Sequence, residues 1–357
     1  MMRRLGIFTL GLLVLSSRLC AHPDRFDIFG VDDNIKQKIY ACCSEIVEQY
    51  QSESQKLSSS STAPQEKDVL HVLKLEEKMV AKIKQVDDFA EVKLLTVYYP
   101  IEQRSFATLD IVKQSETYRI PAHNSVKHGQ RVILSKDIKA LFQVWDDYNT
   151  QKMQMAKANK YDFSKTSCPV MHCTWGFDQD DIKNTLPKLR EGVVKHKQAL
   201  FNIIKNSKND QARADAIFIL ANDTNYQSLA NFLINYTDDA SDLVRNNVMR
   251  VLGAIVAKQK IPQLDVNRII QALNYPYVTD RNKAAYVLLG LIKSDSASHA
   301  QVIKQAGYTL VDLLKLRQPN NHDFAYEILK EISHKNYGEY DYQSWSQWID
   351  EEQNSKD

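Results

Sequence analysis

Apolar residues recur along the second half of the chain in a pattern that itself repeats. Four segments, QARADAIFILAN, LVRNNVMRVLGA, RNKAAYVLLGLI and HDFAYEILKEIS, align on two apolar positions four residues apart: Ala216 and Leu220, Val248 and Leu252, Ala285 and Leu289, Ala325 and Leu329. The intervals between units are 32, 37 and 40 residues. Each segment follows another amphipathic stretch: HKQALFNII, YQSLANFLI, VNRIIQAL and VIKQAGYTLVDLL. Spacing of three to four residues predicts helices, and the polar joints KNSKND, NYTDDASD and LRQPNNHD predict the turns between them. One helical hairpin cannot bury its apolar stripe alone; hairpins laid side by side bury all the stripes in one continuous core.

The first half has a different pattern. Ile35, Ile39, Cys42, Ile46 and Tyr50 predict a helix of about twenty residues, with Asp32 or Asp33 at its start. A serine-rich linker at 52–66 follows. In DVLHVLKLEEKMVAKIKQ the spacing of Val72, Leu75, Met79 and Ile83 favours helix over the competing strand alternation. FAEVKLLTVYY and RSFATLDIV predict a β-hairpin across PIEQ, with TYRIPA and QRVIL as further short strands. SKDIKALFQVWDDYNTQKMQMAKANK returns to helix with Ser135 as N-cap. The natural assembly is a helix packed on a small antiparallel sheet. The expected division is a small α+β domain at 22–165, a cysteine-bearing junction at 166–178, and an all-helical unit at 179–357.

Asp210 and Asp242 each stand three residues before an arginine, Arg213 and Arg245. The aspartates are placed to cap their helices and the arginines to reach a carboxylate in a neighbouring unit. This pattern resembles the HEAT-repeat family of α-solenoids over roughly residues 180–350. The resemblance implies units of two antiparallel helices that present an elongated surface to another macromolecule. In the third and fourth units Asn282 and His322 occupy the arginine position, which interrupts the expected Asp–Arg series. The closing segment YGEYDYQSWSQWID is similar to a terminal motif of some bacterial HEAT-repeat proteins. Trp345 and Trp348, three apart on one helical face, are expected to seal the last apolar edge. The fold class implied is mostly α, a HEAT-like solenoid preceded by a small α+β domain.

The first residues add a compartment. MMRR, the apolar run Leu5 to Leu15 and the exit SSRLCA read as a secretory signal peptide cleaved near Ala21. The run is too short to span a bilayer, and no integral membrane segment is expected after its removal. Cleavage removes Arg3, Arg4 and Arg18 and no acid, which turns 46 basic and 44 acidic residues into 43 against 44. A chain so near neutrality gives no electrostatic reason to expect nucleic acid. The expected location is the periplasm or the exterior.

Candidate chemistry is sparse. Ten glycines in 357 residues, with only Gly30 and Gly129 between 22 and 175, leave no phosphate-cradling loop. Asp87-Asp88 and Asp146-Asp147 are adjacent pairs that diverge on any regular element, and His71, His123 and His128 lack a telling neighbour. No catalytic residue and no cofactor is assigned. Four cysteines remain after cleavage: Cys42, Cys43, Cys168 and Cys173. An even count in an exported chain favours disulfides. Three pairings exist. Cross-bridges from the first helix to the junction are expected, because pairing Cys42 with Cys43 needs a sterically awkward vicinal bridge. The rival reading makes Cys168, His172 and Cys173 a thiol or metal centre, but C-x4-C lacks redox spacing, and a zinc site would need Cys42 or Cys43 to complete it in an exported chain, where thiolate zinc is less expected.

The function expected is therefore that of a non-catalytic scaffold. It would bind a protein or peptide through second-helix positions Arg213, Asn246, Arg250, Lys283, Tyr286 and Glu327. Two alternatives stand beside it: an enzyme or thiol- or metal-dependent protein centred on the junction, and a secreted effector acting through protein contacts.

Overall fold

The computed structural model describes residues 26–59, 65–99, 104–121, 132–162, 164, 167–173, 176–180 and 182–354. The expected signal peptide, His123, His128 and Trp175 lie outside them. Among these residues the chain is mostly α-helical with one small three-stranded sheet.

The first part builds β1 (Asp27–Phe29), α1 (Asp33–Ser59), α2 (Glu66–Ile83), β2 (Phe89–Tyr99) and β3 (Arg104–Lys113). Asp32 caps α1 by accepting from the Ile35 amide at 3.0 Å. The helix does not stop at residue 51: it runs through half of the expected serine-rich linker. α2 packs along it, and Glu53 and Lys56 pair at 2.8 Å near its end. The sheet order is β1-β3-β2, with β2 antiparallel to β3 but β1 parallel to it, so the sheet is mixed. Of TYRIPA, residues 117–119 belong to a 3-10 turn, Gln114–Arg119, and 120 and 121 carry no strand. Of QRVIL, residues 132–134 carry no strand. α3 (Lys136–Lys157) begins as expected, Ser135 accepting from the Ile138 amide.

The second part builds α4 (Thr185–Asn206), α5 (Asp210–Leu220), α6 (Tyr226–Leu233), α7 (Asp242–Val256), α8 (Val266–Leu273), α9 (Val278–Ser294), α10 (His299–Leu314), α11 (Pro319–Ser333) and α12 (Tyr342–Asn354). α5, α7, α9 and α11 each pack on the next, and each also packs on or beside the helix before it. One apolar core runs through all of them. Asn209, not Asp210, caps α5, accepting from the Ala212 amide; Ser241 holds the equivalent place before α7. Asp210 and Asp242 lie in the first turns.

The arginine series is longer than the sequence alignment suggested. Arg213, Arg245 and Arg281 each donate Nη1 to the main-chain carbonyl six residues earlier, at Ser207, Asp239 and Tyr275 (2.9, 2.7 and 3.0 Å). Arg281, not Asn282, is thus the third member. Its unit is registered on Ala284 and Leu288, both fully buried, while Leu289 is only partly so. Each arginine also meets a carboxylate: Arg213 with Asp239 (2.7 Å), Arg245 with Asp280 (2.9 Å). In the fourth unit His322 Nδ1 takes the Leu314 carbonyl instead.

The third arginine leaves the helical array. Its carboxylate is Asp110 on β3, 2.5 Å away, and both side chains are fully buried. β3 alternates: Ala107, Leu109 and Ile111 face the core formed with α1 and α2, and Asp110 faces the array. The other strands do the same. Asp27 of β1 takes the Arg317 side chain (2.7 Å) and amide (2.9 Å), and Glu91 of β2 accepts from Tyr277 (3.0 Å). Arg119 Nε donates to the Asn274 carbonyl at 3.0 Å, and its Nη1 to Gly30 and Ile111 carbonyls at 3.3 Å. Gly30 has φ +94°, and a Cβ there would sit 2.1 Å from the Ile111 oxygen. Burial pushes the Asp110 carboxyl upward; Arg281 and then Arg119 and Lys93 pull it back.

Removing one partner of a buried pair strands the other charge, at about 3–5 kcal/mol. We therefore expect Asp110→Ala to destabilise the protein by about that amount in urea titration. Asp110→Leu combined with Arg281→Met should recover most of the loss. A single change that costs under ~1 kcal/mol would show that the pair is not buried in solution.

Candidate functional site

The second helices expose a stripe that crosses from one unit to the next. On α7 it is Asn246 and Arg250, with Gly253 one turn on; on α9 it is Lys283 and Tyr286; on α11 it is Glu327. Arg250 and Tyr286 are exposed, and Asn246, Lys283 and Glu327 are half-buried. Arg213 does not belong here. It is buried in its pair with Asp239, because the cation that stitches two units together points into the core rather than out of it.

Gly253 shapes this face. A Cβ at that position would lie 2.6 Å from the Tyr286 ring, so the ring rests on bare backbone. Its other neighbour is Phe324 of α11, with centroids 5.5 Å apart. Lys283 donates to the Thr279 carbonyl at 3.1 Å, and Asn246 donates to Asn247 at 3.0 Å. Among the described residues Arg250 has neither a hydrogen bond nor a carboxylate partner. Glu327 lies 3.6 Å from Lys330.

The cysteine-bearing loop forms one border of the stripe. Three elements hold it: Arg190 donates to the Pro169 carbonyl (2.7 Å), the Met171 amide donates to Ala221 (3.0 Å), and Lys258 reaches the Val170 and Met171 carbonyls. His172 packs on Phe218 of α5 at 5.2 Å, and Phe218 also packs on Trp145 of α3 at 5.8 Å. Trp145 in turn donates to Asp215 at 3.2 Å. α3 and the loop thus cover part of the α5 face, and the open stripe starts at α7.

Burial and neighbouring cations disfavour positive charge around α7 and the loop. Burial lowers the His172 pKa to about 4, helped by Arg250, Lys258 and Lys152. Burial lowers Lys283 to about 8, with Arg250 adding to the shift and Asp280 opposing it. Lys152, packed 3.8 Å over the Tyr148 ring, falls to about 7 through burial alone. Arg250 itself is lowered for the same reason, although its outer surface is exposed.

A cleft of about 490 Å³ between α1 and α10 behaves differently. Its four cations are all matched: Lys36 with Asp33, Lys113 with Asp32, Arg119 with Glu116 and Lys315 with Asp312.

The cysteines do not pair as expected. Cys42 bonds Cys43 on α1, and Cys168 bonds Cys173 in the loop. Cys43 lies in the core between α1, α2 and the sheet, whereas Cys168 and Cys173 lie against the core of the helical array. Two separate cores keep the pairs apart, so cross-bridges have no route. A thiol centre at Cys168, His172 and Cys173 needs a thiolate, and both sulfurs are engaged in the bridge. Among the described residues no three His, Cys, Asp or Glu side chains are grouped to hold a metal ion. His71, Asp87, Asp88, Asp146 and Asp147 are all exposed. Trp345 and Trp348 are buried. Trp345 donates to the Gly338 carbonyl at 3.0 Å, and neighbouring Ile349 closes over Gly307 of α10.

Sequence reasoning named Arg213, Asn246, Arg250, Lys283, Tyr286 and Glu327 as surface positions; in the structure Arg250 lies near Lys283, whereas Arg213 is buried. That reasoning missed Gly253, Phe324 and the bordering loop. The spacing of Arg250 and Gly253 on α7 carried a faint signal, since a glycine inside a helix often marks a close approach. No known protein family, curated protein or solved structure matches this chain.

Two measurements check this description. Trypsin digestion without reductant should leave each cysteine pair inside a single peptide, 39–56 and 166–183, each lighter by two hydrogens. A peptide linking the two segments would restore the cross-bridges. For His172 the folded pKa is depressed below 6.5. Its contribution to stability is therefore present above pH 6.5 and is lost as pH falls toward about 4. His172→Gln should flatten the fall in melting temperature over that window, and the wild-type imidazole proton resonances should not move until near its lower end.

Proposed function

We propose that the protein is a non-catalytic scaffold that binds a protein or peptide partner on the face formed by α7, α9 and α11. In this reading the stacked pairs form a HEAT-like α-solenoid, sealed at its end by α12 with its two buried tryptophans. The three arginines that repeat one main-chain bond in successive units support the repeat. The observation that carries the functional reading is the stripe itself. Arg250, Lys283 and Tyr286 lie across two successive helices with no internal carboxylate seated on Arg250. A guanidinium with no internal partner, held on a rigid helix beside a fixed aromatic ring, suits recognition.

Two disulfides fit an oxidising compartment, and among the described residues no helix is long and apolar enough to cross a membrane. We place the protein in the periplasm or outside the cell on that basis and on the N-terminal sequence.

A photo-reactive phenylalanine analogue at position 286 should give one discrete crosslinked adduct in the native envelope or medium. The same group at the exposed Lys74 on α2 should give none. Equal labelling from the two positions, or no labelling from either, ends the proposal.

A further inference from the structure

We propose that the partner segment bound on α7 and α9 is an acidic peptide, with carboxylates set against Arg250 and Lys283 and its chain crossing the Tyr286 ring. This rests on the scaffold reading above and adds the chemistry of the partner.

The argument begins with charge pairing. The cations of the cleft between α1 and α10 are matched by acids, and the arginines inside the array are matched by Asp239, Asp280 and Asp110. Arg250, on the same helix as the paired Arg245, differs from these arginines: it has no acid and no carbonyl in reach among the described residues. An arginine placed beside Lys283 and near Lys258, with nothing between to neutralise it, raises the free energy of the unbound protein locally. A carboxylate supplied from outside removes that repulsion and gains charge-assisted hydrogen bonds, and the planar guanidinium suits a carboxylate in a bidentate approach.

The remaining groups narrow the ligand. The Tyr286 ring is fixed between the bare backbone at Gly253 and Phe324, so it offers a rigid aromatic surface at small entropic cost. The Asn246 side chain lies one turn before Arg250, within reach of a peptide main chain. The cysteine loop, pinned by Arg190 and Lys258, borders the stripe with His172 at its inner side. A short cationic patch beside an aromatic platform fits a few side chains of a peptide. Nucleic acid needs a longer basic track to neutralise successive phosphates, and 46 basic against 44 acidic residues do not supply a field of that sign over the whole chain.

The test uses the full chain and three labelled peptides, four repeats each of Glu-Tyr-Gly, Gln-Tyr-Gly and Lys-Tyr-Gly, followed by fluorescence anisotropy. At low salt the Glu peptide should bind at least about ten-fold more tightly than the Gln peptide, and the advantage should shrink as salt rises. Arg250→Gln and Lys283→Gln should each weaken it several-fold with little change in melting temperature, and Lys74→Gln should leave it unaltered. Arg250→Glu with Lys283→Glu should transfer the preference to the Lys peptide. Equal binding of the Glu and Gln peptides overturns the acidic assignment and leaves the scaffold reading standing. So does displacement of the Glu peptide by a single-stranded oligonucleotide at equal charge, which would assign the patch to phosphates. Absence of binding by all three peptides, with no crosslink from position 286, removes both.

Discussion

The structure turns on the pairing of Asp110 with Arg281. Both side chains are cut off from water, one on the middle strand of the sheet and the other on α9. Such a pair gains little net stability over an apolar contact of the same shape, because desolvation consumes most of the attraction. Its power lies in what it forbids. Any arrangement that separates the sheet from the array leaves a charge buried alone or exposes the polar faces of all three strands. Asp27 with Arg317 and Glu91 with Tyr277 flank it on β1 and β2, so the docking is set along the whole width of the sheet. The sheet is consequently a middle layer, with α1 and α2 on its apolar side and the helical array on its polar side.

That layering explains what was legible in the sequence. The helices of the array were readable because each has an apolar stripe at helical spacing, and the paired positions Ala216 and Leu220 or Val248 and Leu252 are fully buried. β2 and β3 were readable from alternation. The side on which the sheet would be covered was not. Thr108 and Asp110 look like the water-facing half of an amphipathic strand, and only a partner about 170 positions further on makes their burial tolerable. β1 escaped notice because three residues are too few to show a period. The length of α1 was underestimated because its polar serine-rich end draws support from α2, which no local pattern reveals.

The segment around Arg281 shows a subtler failure. Aligning on apolar positions put Asn282 in the arginine column, since Ala284 and Ala285 are both small and both buried. The hydrogen bond from Arg281 to the carbonyl six residues back resolves the choice by one residue. Apolar periodicity tolerates such a slip; a guanidinium that must meet both a carbonyl and a carboxylate does not. The cysteines failed for a related reason. Steric distaste for a vicinal pair favoured cross-bridges, but whether two segments meet is decided by which core each joins, and α1 and the junction loop join different ones.

The same reasoning separates structural from available charge. Arg213, Arg245 and Arg281 share a helix face with apolar residues and are spent on holding units together, so their partners are internal and their surfaces buried. Arg250 stands five residues after Arg245, which on a helix turns it well away from that face and out of the core. One helix therefore presents a satisfied guanidinium inward and an unsatisfied one outward. The helix packing that demands the first leaves the second free of structural duty. On α9 Tyr286 stands five residues after Arg281 and is turned outward by the same rotation, with half-buried Lys283 one turn before it. An outward face of this kind follows from packing helices in series, and the charge of Arg250 on it is one that the fold itself leaves unpaired.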